Sequence, residues 1–124
     1  MTVTRIDHLN VTSSETLIER CRAFYIEILG LTEGHRPAFR SRGYWLYAGD
    51  SPIVHLTIAA DERAATKAAP LDHVALACND LDEMLARLEQ QTIPHRLDRV
   101  PGSDVAQIFL HDPAGVALEL NFGR

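Results

Sequence analysis

The stretches RIDHLNVTSS, residues 5–14, and PLDHVALACND, residues 70–80, are two copies of one pattern. Each has an apolar residue, an aspartate and a histidine, followed by an alternating apolar run and a polar cluster. The matching histidines are His8 and His73, which lie 65 positions apart. A repeat of this length that occurs twice predicts a duplicated module and not a solenoid.

A second pair of segments repeats at nearly the same offset. SPIVHLTI covers residues 51–58, and AGVALELNF covers residues 114–122. Each places a metal-competent side chain in the middle of a strand-like apolar run, namely His55 and Glu119, which lie 64 positions apart. The register of the repeat therefore holds within one residue.

The composition fits a small globular protein. The chain has 124 residues, of which 46% are hydrophobic and 23% charged, with a formal net charge of -5. It has no basic run and no apolar stretch longer than a strand, which argues against nucleic acid and membrane as partners. No signal-peptide pattern is evident at the N-terminus. Cys21 and Cys78 lack CxxC spacing, so we expect reduced thiols in a cytoplasmic protein.

Each copy predicts the element order β-α-β-β-β. The helices are predicted over 14–30, where Gly30 supplies the stop, and over 80–91, where Asp80 caps the start. The strands after the helices are predicted at 32–39, 43–50 and 52–59, and at 94–100, 105–112 and 115–122.

The predicted fold class is α+β, built from two tandem βαβββ modules at about residues 1–60 and 69–124. We expect them to form a single domain with a curved, mixed, mostly antiparallel sheet around a metal cleft. The stretch 60–70, ADERAATKAAP, joins the copies either as a linker or as a short helical turn.

The repeat also predicts a metal site. Side chains alternate across a strand, so repeated strands that face a shared centre would bring together His8, His55, His73 and Glu119. Three imidazoles and a carboxylate suit a divalent ion such as Zn, Ni, Mn or Fe. The alternative is that the histidines are ordinary core or surface residues and Glu119 faces solvent, which the alternation in ALELNF fits equally well.

The remaining histidines and the aromatic segment FRSRGYWLYAG, residues 39–49, complete the candidates. We expect His35 and His95 to be mostly exposed and His111 to belong to the turn HDPAG. Arg42, Trp45 and Tyr47, together with Arg40, are expected near the mouth of the cleft. An aromatic wall with an arginine suits a planar or carboxylated small molecule, whereas the plainer interpretation is core aromatics and solvated arginines.

The phrases IDHLNV, FYIEILGL, LDHVALACNDLDEMLARL and LHDPAGVALEL resemble those of the vicinal oxygen chelate superfamily, over nearly the whole chain. This superfamily includes glyoxalase I, bleomycin-resistance proteins, methylmalonyl-CoA epimerase, fosfomycin-resistance thiol transferases and extradiol dioxygenases. The resemblance implies paired βαβββ modules around a metal that binds two neighbouring oxygens of a substrate. It also implies a homodimer, commonly with exchanged modules.

The resemblance assigns roles to the repeated residues. His8 and His73 fall on the first-strand ligand positions, and Glu119 falls on the last-strand carboxylate ligand. His55 stands where glyoxalase I has a glutamate and the epimerase a glutamine. Glu119 is therefore expected as ligand and base, and His55 as a base or a fourth ligand.

Two functions of different classes follow. One is a metal-dependent enzyme with isomerase, lyase or oxygenase chemistry on a small oxygen-rich substrate. In a ring-cleaving oxygenase Tyr44 or Tyr47 would be the acid–base candidate, unless both are sheet-packing aromatics. The other is a metal-free ligand-sequestering protein of the bleomycin-resistance type, whose acidic charge would suit cationic drugs. A third option is a partner domain that has kept the cleft and lost the chemistry.

Overall fold

The computed structural model describes residues 6, 8–61, 73–101 and 103–123. The chain divides into two compact units, Met1–Ala68 and Ala69–Arg124, which we call the first and the second module. Each has the element order β-α-β-β-β and its own sheet, so the α+β class and the tandem βαβββ modules are confirmed. Whether the modules make one domain stays a prediction, and most of the predicted linker lies outside the described residues.

The elements of the two modules correspond one to one. The first module contains β1 Leu9–Ser13, α1 Glu15–Glu27, β2 Thr32–Gly34, β3 Gly43–Ala48 and β4 Ser51–Ile58. The second contains β5 Val74–Cys78, α2 Leu81–Gln90, β6 Arg96–Arg99, β7 Ala106–His111 and β8 Ala117–Phe122. The sheets have the orders β1-β4-β3-β2 and β5-β8-β7-β6. In each sheet the first and last strands pair in parallel and the other neighbours are antiparallel.

The strand register reproduces the repeat found in the sequence. His55 has Asn10 as its Cα partner on β1, and Glu119 has Ala75 as its Cα partner on β5. On the other side the partner of Glu119 is Phe109, in the position that Trp45 has beside His55. His55 and Glu119 therefore have equivalent neighbours in the two sheets.

α2 begins at the cap predicted from the sequence, Asp80, and α1 begins at a cap that was not predicted, Ser14. The Ser14 hydroxyl accepts from the Leu17 amide at 3.3 Å, and Asp80 Oδ1 accepts from the Glu83 amide at 3.1 Å. Such bonds satisfy backbone donors that the first turn leaves without a helical partner. Gly30 follows the end of α1 with a φ of 75°, a conformation that glycine adopts without strain. No helix in the described ranges is long and apolar enough to cross a membrane.

One face of the first sheet is covered by α1. This helix contacts β1, β3 and β4, and its buried side chains recur at helical spacing. Cys21 is among them and is fully buried, as expected of a small core residue. The buried residues of the sheet alternate along the strands, and they are Val11, Ser13, Leu46, Val54 and Leu56.

The second module is divided in the same way. Met84 and Leu88 of α2 are buried, as are alternate residues of the two central strands, namely Ile108, Leu110, Leu118 and Leu120. Because neighbours along a strand point to opposite faces, the intervening residues lie on the other face. That face carries Gln107, Phe109, His111, Ala117, Glu119 and Asn121. It is the surface on which the second module builds its polar groups.

The outer strands are shorter than the sequence predicts. β2 ends at Gly34, although the prediction ran to Phe39. Pro37 has no N–H to donate to a ladder. The Arg36 guanidinium donates to the carbonyl and the hydroxyl oxygen of Ser41 at 2.9 and 3.0 Å, which closes the segment into a loop.

The turn between β7 and β8 is built around a buried aspartate, as the sequence HDPAG predicts. Asp112 is 3% exposed, and its Oδ1 accepts from the amides of Ala114 and Val116, both at 2.9 Å. His111 is the last residue of β7 and not part of the turn, which corrects our prediction. It belongs to the ladder because its Cα partner is Ala117.

Replacement of Asp112 by alanine should destabilise the protein. The substitution leaves two backbone donors without their acceptor, so the free energy of unfolding should fall by about 1–3 kcal/mol. Urea denaturation followed by circular dichroism measures this. Asp112→Asn is the matched control, because its amide oxygen can still accept, and it should lose clearly less. Equal losses in the two variants would contradict this account of the turn.

Candidate functional site

The second module brings two of the predicted ligands together. His73 lies one residue before β5 and two residues before Ala75, the partner of Glu119, so it is a diagonal neighbour of the carboxylate. Its Nε2 lies 3.8 Å from Glu119 Oε1. The Glu119 side chain is 15% exposed and that of His73 is 42% exposed. Glu119 is thus shielded and does not point into bulk water.

The Glu119 carboxylate is oriented by two amides on the same sheet face. Asn121 Nδ2 donates to Glu119 Oε2 at 2.7 Å, and Gln107 Nε2 donates to Asn121 Oδ1 at 3.1 Å. The first bond fixes which end of the buried Asn121 amide carries the donors, because a carboxylate only accepts. One carboxylate oxygen is therefore held by a hydrogen bond, and the other faces His73.

The first module brings the other two candidates together as a stack of rings. The centroids of His8 and His55 are 3.8 Å apart with an interplanar angle of 12°. Trp45 lies on the opposite side of His55, with centroids 4.0 Å apart and an angle of 10°. His55 is therefore held between two flat rings.

The geometry of metal binding is compatible with the His73–Glu119 pair and not with the His8–His55 stack. A ligating nitrogen or oxygen lies about 2.0–2.2 Å from zinc, so two donors on one ion are separated by at most about 4.3 Å. The 3.8 Å between His73 and Glu119 falls below that ceiling. An imidazole binds a metal in its own ring plane. The nearly parallel planes of His8 and His55 do not meet near the rings, so the stacked pair cannot chelate one ion in this conformation.

The tautomer of His55 follows from its backbone contact. Its Nε2 lies 3.0 Å from the carbonyl oxygen of Pro52, and a carbonyl only accepts, so Nε2 carries the proton. Nδ1 is then the nitrogen with a lone pair in the neutral ring. Over the part of the chain that the structure describes, no three His, Cys, Asp or Glu side chains form a metal-binding cluster. The metal assignment of His8, His55, His73 and Glu119 stays a prediction.

An open depression of about 610 Å³ adjoins His73 in the second module. Its lining includes Pro94, His95, Arg96, Phe109 and His111. His95 is half-buried and not mostly exposed as predicted, and its Nδ1 donates to the Ile93 carbonyl at 2.8 Å. His35 is exposed, as predicted.

The predicted pocket residues occupy three different environments. Trp45 lies on the His55 ring, as described above. Arg42 pairs with Glu15 at 2.8 Å, and both side chains are more than half exposed. This ion pair holds the pKa of Glu15 below its usual range, the hydrogen bond from Arg42 being the main cause. Tyr47 donates from its hydroxyl to the carbonyl oxygen of His35 at 2.5 Å.

Tyr44 lies on the α1 side of β3. Its hydroxyl donates to Glu19, and the Arg22 guanidinium lies 4.5 Å from its ring centroid. The hydrogen bond to the Glu19 carboxylate, assisted by burial, raises the pKa of Tyr44 above its ordinary value. These contacts support the alternative interpretation of Tyr44 as a packing residue.

Several residues of these surfaces were not foreseen from the sequence. Phe39 is 52% exposed and lies beside Trp45 with ring centroids 6.1 Å apart, and Arg36 lies over the Phe39 ring. Asn121 and Gln107 also escaped notice. Asn121 carried a usable signal, since it lies two residues beyond Glu119 and therefore on the same face.

Known proteins resemble the whole chain. The model of the Glyoxalase/Bleomycin resistance protein/Dioxygenase superfamily matches residues 5–120. A protein from Arabidopsis thaliana named Glyoxylase I 4 is 29% identical over 125 residues, which cover 95% of this chain and 70% of the relative.

Solved structures share the fold over nearly their full lengths. One from Bacillus anthracis, described as a glyoxalase family protein, is 25% identical with a TM-score of 0.74, and the match covers 100% of this chain and 98% of that one. Lactoylglutathione lyase from Agrobacterium tumefaciens has 20% identity and a TM-score of 0.70, with 99% and 96% covered. TnmS3, an antibiotic binding protein from Streptomyces, has 21% and 0.68, with 100% and 99% covered. The last two show the fold alone.

The contacts of Tyr44 predict a loss of stability in alkali. Because its pKa is raised in the folded state, the stabilisation is complete below the ordinary tyrosine pKa of about 10 and is lost as the pH rises through the folded value. Urea denaturation between about pH 8 and about pH 11 should show a smaller loss for Tyr44→Phe than for wild type. Superimposable curves for wild type and Tyr44→Phe would refute this assignment.

Proposed function

The chain belongs to the Glyoxalase/Bleomycin resistance protein/Dioxygenase superfamily, and from this premise we propose that it is a metal-dependent enzyme acting on a small oxygen-rich substrate. The observation that carries the proposal is the pair formed by His73 and Glu119, with 3.8 Å between Nε2 and Oε1. An imidazole and a shielded carboxylate at this separation suit two ligands of one divalent ion.

The proposed ligand set is His8, His73 and Glu119, two histidines and one carboxylate. An ion bound there would hold two neighbouring substrate oxygens and stabilise the negative charge that develops during reaction. Zn, Ni, Mn and Fe all accept such ligands.

The proposed proton carriers are Glu119 and His55. Glu119 Oε2 is occupied by the Asn121 amide, so Oε1 is the atom that would bind the ion or accept a proton. His55 keeps its proton on Nε2 through the Pro52 carbonyl, so Nδ1 would be its accepting atom. The stacking of His55 between His8 and Trp45 supports a role as base and not as fourth ligand.

The reaction class is proposed as an isomerisation, a lyase step or an oxygenation. The name of the Arabidopsis relative, Glyoxylase I 4, favours glyoxalase-type chemistry, which belongs to the first two. A ring-cleaving oxygenation with Tyr44 as acid–base group is disfavoured, since that hydroxyl is engaged with Glu19 on the helix side of the sheet.

We also propose that the protein is cytoplasmic and forms a homodimer. Cys21 is a buried thiol and Cys78 a half-buried one, as expected for a reducing compartment. The dimer is an expectation from the family, and light scattering on the purified protein checks it.

A second candidate function is capture of an intact ligand without reaction. The exposed Phe39 beside Trp45 favours it, because an aromatic surface of this kind can stack a planar molecule. Recovery of a stoichiometrically bound molecule unchanged after prolonged incubation, with no metal on the protein, would select this function over the enzyme.

Metal binding should depend on the His73–Glu119 pair. His73→Ala and Glu119→Gln should each weaken zinc binding by at least about tenfold, because losing even a residue behind the ligands costs that much. Competitive titration with a chromogenic chelator measures the affinity, and plasma mass spectrometry measures the metal that copurifies. His35→Ala, which removes an exposed imidazole, is the control and should bind as wild type. A wild-type protein that takes up none of the four metals would rule the proposal out.

The two stacked histidines should respond differently to the same substitution. His8→Phe should lose metal affinity, because it removes a proposed ligand and keeps an aromatic ring on His55. His55→Phe should retain the affinity within about threefold, because a phenyl ring can still lie between His8 and Trp45. The same chelator titration measures the zinc affinity of both variants. Equal losses would show that His55 is a ligand.

A further inference from the structure

The open depression of the second module contains an arginine at its edge. Arg96 begins β6, and its guanidinium carbon lies 4.6 Å from the ring centroid of Phe109. Arg96 Nε also donates to Asp98 Oδ2 at 3.1 Å. The Phe109 ring and the bond from Nε to Asp98 together hold the Arg96 guanidinium in one orientation. Neither contact uses the two terminal nitrogens of the guanidinium.

The lining of this depression favours an anion. It contains Arg96 and the imidazoles of His73, His95 and His111, and none of the lining residues is Asp or Glu. This is notable in a chain whose formal net charge is -5. Among the small anions, a carboxylate matches the two terminal nitrogens of a guanidinium as a bidentate pair.

The rest of the lining limits the body of the ligand. Pro94, Phe109 and Ala117 contribute apolar surface next to the polar groups. A volume of about 610 Å³ lies within the range of small-molecule sites and accommodates a ring with one or two substituents. Because the depression is open, the carboxylate of a ligand would lie at its rim, where the Arg96 side chain is 68% exposed.

We propose that Arg96 anchors the carboxylate of an aromatic carboxylic acid bound in this depression. The inference rests on the proposed function and names its substrate class, since His73 belongs to both the depression and the proposed metal ligands. It moves the anchoring role from Arg42, whose guanidinium is paired with Glu15, to an arginine whose terminal nitrogens remain to face a ligand.

Benzoate tests the anchor on metal-free protein. Amide chemical shifts of ¹⁵N-labelled chain, treated with EDTA, are followed during titration with sodium benzoate and, separately, with the neutral isostere benzamide. Benzoate should shift the amides of His95, Arg96 and Phe109 and bind wild type more tightly than benzamide does. Arg96→Gln should weaken benzoate binding at least about tenfold, the cost of losing a hydrogen bond to a charged group.

Arg99→Gln is the matched control. It removes the same charge from the same strand at a position that strand alternation puts on the opposite face, so benzoate affinity should stay within about twofold. Equal binding by Arg96→Gln and wild type, equal binding of benzoate and benzamide, or no shift of the lining residues would overturn the inference. These measurements need no metal. The role of Arg96 can therefore be refuted while metal uptake is confirmed, or confirmed while metal uptake is refuted.

Discussion

The parallel pairing of the first and last strand in each module is the constraint on which the rest depends. It sets Asn10 against His55 and Ala75 against Glu119, so the histidine two residues earlier becomes a diagonal neighbour in both sheets. A shift of one residue would turn every side chain of the strand to the other face. The buried residues of the opposite face, such as Leu56 and Leu120, make that shift costly. The core thereby holds the polar residues in place.

This explains why so much could be predicted from the sequence. The offsets of 65 and 64 positions show which residues of the two modules are equivalent, and alternation then assigns the faces. The element order, the helix cap at Asp80 and the turn at Asp112 depend on short-range patterns that have a local physical cause. The pairing of His73 with Glu119 also requires the parallel order of β5 and β8, which the sequence analysis did not predict.

What could not be predicted depends on contacts between distant residues or on side-chain conformation. Arg42 pairs with Glu15, 27 residues earlier, and nothing in the segment 39–49 reveals that partner. The stacking of His8 on His55 is a matter of ring orientation, which strand alternation does not specify. His95 is half-buried in an irregular segment, for which no periodicity exists to predict which side chains are covered.

The two copies have diverged in a physically matched way. An imidazole at position 55 can stack, and its antiparallel neighbour is Trp45, which covers the ring. A carboxylate at position 119 cannot stack, and a shielded charge needs hydrogen-bond donors. The equivalent neighbourhood there supplies the amides of Asn121 and Gln107 in place of a covering ring. Arg96, the Cα partner of Phe109 on β6, lies over the Phe109 ring, whereas the Cα partner of Trp45 on β2 is Gly34, which has no side chain. The change from histidine to glutamate thus accounts for the fixed carboxylate, and the change from glycine to arginine accounts for the guanidinium beside it.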